Sequence, residues 1–521
     1  MDIYLTQGLH RAVQQRPQAT ATLCAERRQD WRTLEGRVAR LAAVLHAHGL
    51  QAGERVAVLA HNSDHCAEAF LAAWWAGLAM VPLNTRWSAT ELLHALRDCD
   101  SRLLLADAAF ADQAQSLAPQ VAGLRALLYL GDGPAPSGMA RTEDAMARAT
   151  PLADQRRGGE ALATILYTGG TTGAPKGVML SHANLWAAVV ARLVEMPNPG
   201  YTGLLTTPLF HVAGLARMVA QMTLGVTSVI EAQFRPDACL QAIERHGVND
   251  VVLVPSMLQM LLDHPAFDAG RLRSLKRIAH GAAPMPRPLL LRAMQALPWV
   301  DFVAAYGMTE NAAGVSTSGP IRWATHERHA AILSSVGRAG LACELRITAP
   351  GGRALPAGQV GEICMRGPGV MQGYWRRPEE TAHVLRGGWL HTGDGGWVDE
   401  DGYLFLADRI KDMIISGGEN VYSIEVEAVL MQHPDVAQCA VIGVPHAQWG
   451  EAVHAVVVPR PGRSPGLQSL RAHCRAQLAG YKCPASMELA DALPLSPTGK
   501  VLKNRLRART AAGDVIRETS P

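Results

Sequence analysis

From Arg55 the chain alternates short apolar runs with amphipathic stretches, and this rhythm limits the folds open to it more than any other feature. RVAVLA leads to the helix-like AEAFLAAWWA, then to MVPL, then to SATELLHALRD. The same order returns in SRLLLAD, in RALLYLG, in SVIEAQ followed by DACLQAIERHG, in DVVLVP and in RIAHG. Strand-length apolar runs separated by helix-length segments predict a mostly parallel sheet clothed in helices, an α/β scaffold.

The texture changes twice. Between about 340 and 405 the runs shorten and are punctuated by Gly and Pro, as in CELRIT, GEICMRG and GYLFLAD, which predicts a small antiparallel or barrel-like region. After Asp408 the amphipathic EVEAVLMQH, the strand-like QCAVIGV and HAVVVP, the turn PRPGRSPG and the helix-like SLRAHCRAQLAG form a module of domain size. We therefore expect a large N-terminal domain over 1–408 with a barrel-like part at about 335–408, and a small α+β domain over 409–521. A chain of 521 residues exceeds what one hydrophobic core usually supports, so more than one domain is expected on length alone.

Composition removes several function classes. The formal net charge of +3 leaves no basic excess to grip a nucleic-acid backbone. Nine cysteines are scattered without metal-ligand spacing, which fits a reduced, cytoplasmic protein. The start MDIYLTQGLHRAVQQ lacks the order of a signal peptide, and the longest apolar stretch, Ala69 to Leu83, is broken by Gly77 and Pro82 and is too short for a membrane span. It reads as core.

The richest segment is Leu166-Tyr167-Thr168-Gly169-Gly170-Thr171-Thr172-Gly173-Ala174-Pro175-Lys176-Gly177, which follows the strand-like ALATILY. Glycines leave backbone N–H groups bare, and hydroxyls and one ammonium can converge with them on phosphate oxygens. The natural ligand is a polyphosphate. The loop is not of the Walker A type, because Lys176 is followed by Gly177 rather than Ser or Thr.

This loop resembles that of the adenylate-forming superfamily of acyl-CoA synthetases, luciferases and peptide-synthetase adenylation domains, and further matches follow in that superfamily's order from about residue 30 to about 507. They are Pro208-Leu209-Phe210-His211-Val212-Ala213-Gly214, His280-Gly281-Ala282-Ala283-Pro284, Ala305-Tyr306-Gly307-Met308-Thr309-Glu310, Trp389-Leu390-His391-Thr392-Gly393-Asp394, Ala407-Asp408-Arg409-Ile410-Lys411-Asp412, Ile414 to Asn420, and Pro494 to Lys500. The resemblance implies an ATP-dependent carboxylic acid:CoA ligase that forms an acyl adenylate and passes the acyl group to coenzyme A, with Mg²⁺ accompanying ATP.

On that resemblance ATP is held by Thr168, Gly169, Gly170, Thr171, Thr172, Gly173 and Lys176, with Gly281, Ala282 and Ala283 flanking adenine and acyl chain. Tyr306 offers a ring to adenine, Thr309 a hydroxyl to phosphate with Gly307 in the same nucleotide-binding loop, and Glu310 gives a hard oxygen to the metal. Asp394 and Arg409 take the ribose, Lys411 is the hinge that makes the small domain mobile, and Gly417 and Gly418 meet the adenylate and the CoA arm. Trp449 lies near that arm. Catalytic parts fall to Lys500, Glu310, Thr172 and His211, with His211 also lining the acyl pocket.

The pocket set of His211, Val212, Ala213, Met257, Gly281, Ala282, Ala305, Met308, Asn311 and Gly314 contains many small residues and no full cation, which suits a medium or long fatty acid or an aromatic acid and disfavours a second carboxylate. Two alternatives share these motifs: an acyl-AMP ligase that loads a carrier protein, and a non-catalytic nucleotide-binding relative. A homodimer is the default assembly.

Overall fold

The computed structural model describes residues 3–519 apart from 169–174, 198–199, 201, 410–411, 417–418, 447, 496–500 and 513–517. Four sheets organise it. An eight-stranded sheet runs, edge to edge, through Gly373–Tyr374, Lys176–Ser181, Leu162–Thr168, Ala79–Pro82, Arg55–Leu59, Ser101–Ala106, Ala126–Tyr129 and Ala140–Arg141. Its strands are parallel from Leu162–Thr168 onward, and the two at the other end are antiparallel.

A nine-stranded sheet runs through Arg338–Ala339, Ser316–Thr317, Asp301–Tyr306, Arg277–Gly281, Asp250–Leu253, Thr202–Leu205, Thr227–Ile230, Thr20–Cys24 and Arg27–Asp30. Its six central strands are parallel. The expected α/β rhythm is thus met by two parallel sheets. The strand Thr20–Cys24 was not foreseen: it pairs in parallel with Thr227–Ile230, about two hundred residues later.

The stretch Ala69 to Leu83 is core. It falls into helix Asp64–Trp75, whose residues are all buried, and strand Ala79–Pro82. The helix touches Thr20–Cys24 of one sheet and Arg55–Leu59 and Ala79–Pro82 of the other, so it lies between them with no face turned to solvent, and its polar residues Asp64, His65 and Glu68 are buried as well. Phe70 is fully buried there, each such side chain contributing roughly 1.5–3 kcal/mol, and the Trp74 indole N–H donates to the Ala163 carbonyl at 2.9 Å. Local signals set the helix ends: Ser88 and Glu91 form a reciprocal capping box on Ala89–Asp98, and Gly247 closes Pro236–His246 at φ 61°.

The Gly- and Pro-punctuated segment folds as a five-stranded antiparallel sheet of Glu344–Thr348, Gly361–Arg366, Leu385–Arg386, Trp389–Val398 and Leu404–Arg409. The last sheet has six strands, from Ile414–Ser416 to Glu518–Thr519, with Val436–His446 and Gly450–Pro459 as its longest pair. It has two small apolar cores, one around Ile414, Val426, Val441 and Leu470 and the other around Ile442, Val456 and Leu506, both separate from those of the larger sheets. Among the described residues no helix is long and apolar enough to cross a membrane.

Candidate active site

Parallel sheets open clefts at the carboxyl ends of their strands, where loops diverge. In the nine-stranded sheet Arg277–Gly281 and Asp301–Tyr306 lie side by side, with Gly281 opposite Ala305. A methyl on Gly281 would collide with the Ala305 carbonyl oxygen, so only glycine fits. Ala282 follows at φ 65° and turns the chain outward. Gly307 is equally constrained: its missing methyl would run into the Ala313 carbonyl.

Tyr306 ends its strand, and its Oη donates to Asp394 Oδ2 at 2.7 Å. Asp394 stands on Trp389–Val398 of the antiparallel sheet, where its N–H donates to Thr392 Oγ1 at 3.1 Å. Its cross-strand partner in register is Arg409. The motifs that carry Tyr306 and Asp394, read far apart in the chain, therefore meet side chain to side chain.

Glu310 is buried on the turn that follows, and its backbone carbonyl accepts from Met371 N–H at 2.8 Å. Its carboxylate Oε1 accepts from Tyr374 Oη at 2.9 Å. Tyr374 was missed in the sequence. It stands on Gly373–Tyr374, which pairs with the strand beginning at Lys176, and the Lys176 ammonium lies 5.5 Å from its ring centre. Burial beside Glu310 drives the Tyr374 phenol well above its ordinary pKa, so it stays a donor. The Lys176 ammonium also lies 3.9 Å from Glu380. Thr168 is Lys176's cross-strand partner, and its hydroxyl reaches the Lys176 carbonyl at 3.5 Å.

His211 precedes helix Val212–Leu224, with its ring 4.5 Å from that of Phe210. Met308, Ala283 and Thr309 keep partial exposure, as do Val212 and Ala305. His280, behind Gly281, is buried, and desolvation pulls it down to about 4, so it is neutral. Trp449, in the last sheet's domain, is 43% exposed and stacks on His446 with centroids 4.3 Å apart. Gly169, Gly170, Thr171, Thr172, Gly173, Lys411, Gly417, Gly418 and Lys500 lie outside the described residues.

A second residue missed in the sequence is Arg192, on helix His182–Glu195, which donates to the Ala313 carbonyl. Its signal is the spacing Leu185, Ala188, Val189, Arg192, which sets an arginine on the apolar stripe of a helix.

Comparison with known proteins agrees with this arrangement. The model of the AMP-binding enzyme matches residues 9–375, and that of the AMP-binding enzyme C-terminal domain matches residues 425–500. Feruloyl-CoA synthase from Amycolatopsis sp is 40% identical over 499 residues, covering 95% of this chain and 96% of that one. Among solved structures, o-succinylbenzoate CoA synthetase from Bacillus subtilis, in complex with its acyl-adenylate intermediate, superimposes with a TM-score of 0.83 at 30% identity, covering 96% of this chain and 97% of that one. ATP-bound MatB from Rhodopseudomonas palustris gives a TM-score of 0.86 at 31% identity, covering 98% and 99%.

Fold and site thus define an adenylate-forming enzyme. The chain belongs to the AMP-binding enzyme family, and within it to the acid–thiol ligases of the acyl-CoA synthetase type.

Proposed function

We propose that this ligase joins an aromatic carboxylic acid to coenzyme A in two steps at one site. A carboxylate cannot expel oxide, so its oxygen first attacks the α-phosphorus of ATP and pyrophosphate leaves. The thiol of CoA then attacks the acyl carbon, the C–S bond forms, and AMP departs with the carboxyl oxygen. The hydrogen bond between Tyr306 and Asp394 carries this reading, because it fixes a carboxylate acceptor for two ribose hydroxyls beside a ring that can cover adenine.

Both reactants of the first step are anionic, so the help required is electrostatic. Lys176 and the loop before it are assigned to the phosphates, and Lys500 to the bond between acid and α-phosphate. The donor set at Glu310, a buried carboxylate steadied by a neutral phenol, fits a hard divalent cation. Bound there, Mg²⁺ would neutralise charge on the phosphates. Removal of Lys500 from the site before thiolysis is assigned to rotation at Lys411, with Arg409 on the ribose, Gly417 and Gly418 against the adenylate, and Trp449 near the CoA arm. The same reading assigns Gly281, Ala282, Ala283 and Gly307 to the walls of the nucleotide and acyl pockets and His211 to the acyl side.

The aromatic preference rests on relatives acting on feruloyl and succinylbenzoyl groups and on small residues at Gly281, Ala282 and Ala305. The proposal extends to the cytoplasm, where nine cysteines remain thiols, and to a homodimer.

The test is pyrophosphate release from ATP and Mg²⁺ over aliphatic and aromatic acids, with and without CoA, the thioester being identified by mass. Aromatic acids should give pyrophosphate and a matching CoA thioester. Pyrophosphate without thioester would assign another acceptor, and turnover confined to aliphatic acids would overturn the substrate class.

A further inference from the structure

The five-stranded antiparallel sheet has an apolar face and a polar one. Ile347, Ile363, Met365 and Leu390 turn to its core, and the residues that alternate with them, Thr348, Glu362, Cys364 and His391, share the other side. A polar face is ordinarily wet, yet Cys364 is fully buried there and His391 is only 8% exposed.

Strand pairing brings three of these side chains together. Cys364 faces His391 across the pair Gly361–Arg366 and Trp389–Val398, and Glu362 stands two residues along on the same side. His391 Nδ1 lies 2.7 Å from Glu362 Oε2 and 3.3 Å from Cys364 Sγ. A ring nitrogen carries either one proton or one lone pair, so it satisfies only one of these partners at a time. Ligating atoms from all three residues lie within 4.8 Å of one another. Spacing in the sequence could not show this, since Cys364 and His391 are 27 positions apart and meet only through the sheet.

That donor set defines a class of ligand. Zn²⁺ takes thiolate, imidazole and carboxylate at about 2.0–2.3 Å in a tetrahedron, which sets neighbouring ligand atoms roughly 3.4–3.6 Å apart. The two spacings at His391 Nδ1 need to open by less than about 1 Å to reach this, with water in the fourth position. Mg²⁺ asks for oxygens in an octahedron, which suits Glu310 and not a thiol beside an imidazole.

The surroundings hold the ligands in place. Glu362 is aimed by its other oxygen, Oε1, which accepts from the Gly393 N–H at 3.2 Å, and Cys364 Sγ rests 3.3 Å from Thr348 Oγ1. Two arginines stand nearby. Arg346, opposite Cys364, lays its guanidinium over the Trp389 ring, 4.0 Å from its centre. Arg386 Nη2 lies 3.4 Å from Glu362 Oε2, but its side chain is 45% exposed and can swing into water as a cation enters.

We propose that Glu362, Cys364 and His391 bind a thiophilic divalent cation of the Zn²⁺ class, at a site separate from the Mg²⁺ position at Glu310. The thiol proton passes to solvent as the metal–sulfur bond forms. The alternative is a hydrogen-bonded cluster that only knits two strands.

The untagged full-length enzyme, freed of metal with a chelator, is titrated with Co²⁺ alone and then challenged with Zn²⁺ or Mg²⁺. Wild type should take up one equivalent of Co²⁺ with a near-ultraviolet sulfur-to-cobalt charge-transfer band, which Zn²⁺ bleaches and Mg²⁺ does not. Cys364→Ser should lose the band, and Glu362→Gln should weaken Co²⁺ binding by about tenfold or more, at least what the loss of a residue that merely orients a ligand costs. Absence of the band in wild type, its survival in Cys364→Ser, or displacement by Mg²⁺ as readily as by Zn²⁺ overturns the proposal. Should Cys364→Ser fail to fold, an unchanged Co²⁺ affinity in Glu362→Gln overturns it instead. These readings are independent of the acid that the enzyme activates.

Discussion

The hydrogen bond from Tyr306 to Asp394 joins a strand end of one sheet to a hairpin of another, and phenylalanine at 306 would remove it while keeping the ring. A hydrogen bond to a charged group is worth about 1.5–3 kcal/mol. Tyr306→Phe should therefore raise KM for ATP by about tenfold or more in steady-state pyrophosphate release, with a smaller change in kcat; an unchanged KM would remove the bond from nucleotide binding. Both residues were legible as motif members. Their contact was not, because nothing local signals a pairing across 88 positions. Tyr374 was illegible for another reason: its strand is two residues long, too short for any period, and its partner Glu310 belongs to a different motif.

At the scale of elements, Glu68 on helix Asp64–Trp75 clasps two neighbours. It accepts from Gln29 Nε2 at 2.8 Å and from Arg37 Nε and Nη2 at 2.7 and 2.9 Å, so one carboxylate ties the strand Arg27–Asp30 and the helix Trp31–Ala47 to the central helix. Burial works to raise its pKa, but His65, Arg37 and Gln29 overcome this and hold it at about 2. Glu68→Ala leaves Arg37 with Glu143 alone and should cost about 3 kcal/mol, read as a lower Tm. The helix-strand rhythm and the Ser88 capping box could be read from neighbouring residues, and so could the antiparallel texture after 340. The seat of Thr20–Cys24 in the nine-stranded sheet could not, since a strand's sequence records that one face is buried but not which partner covers it.

The whole molecule carries a pH dependence through buried histidines. His182 accepts the Leu5 N–H at its Nδ1 at 3.2 Å, and desolvation, aided by Arg157, pulls its pKa down to about 4. The unfolded chain takes up a proton near the ordinary 6.5, so this stability is complete above about 6.5 and is lost as pH falls toward 4. By pH 5 the loss from His182 is about 2 kcal/mol, and His280 adds in the same direction. Tm should drop between pH 7 and 5, and His182→Asn, which can still accept from Leu5, should flatten that slope; an equal slope in the variant would assign the acid sensitivity elsewhere.

The pairing of Thr22 with Ser228 also has a consequence for how the chain is made. A ribosome working at about 5–20 residues per second needs roughly 10–40 s to travel from the first strand to its neighbour. Through that interval the early hairpin shows an open row of amide and carbonyl groups to every nascent chain nearby. The hazard of aggregation thus belongs to synthesis rather than to the finished enzyme, and a chaperone's protection is needed before the second half of the chain exists.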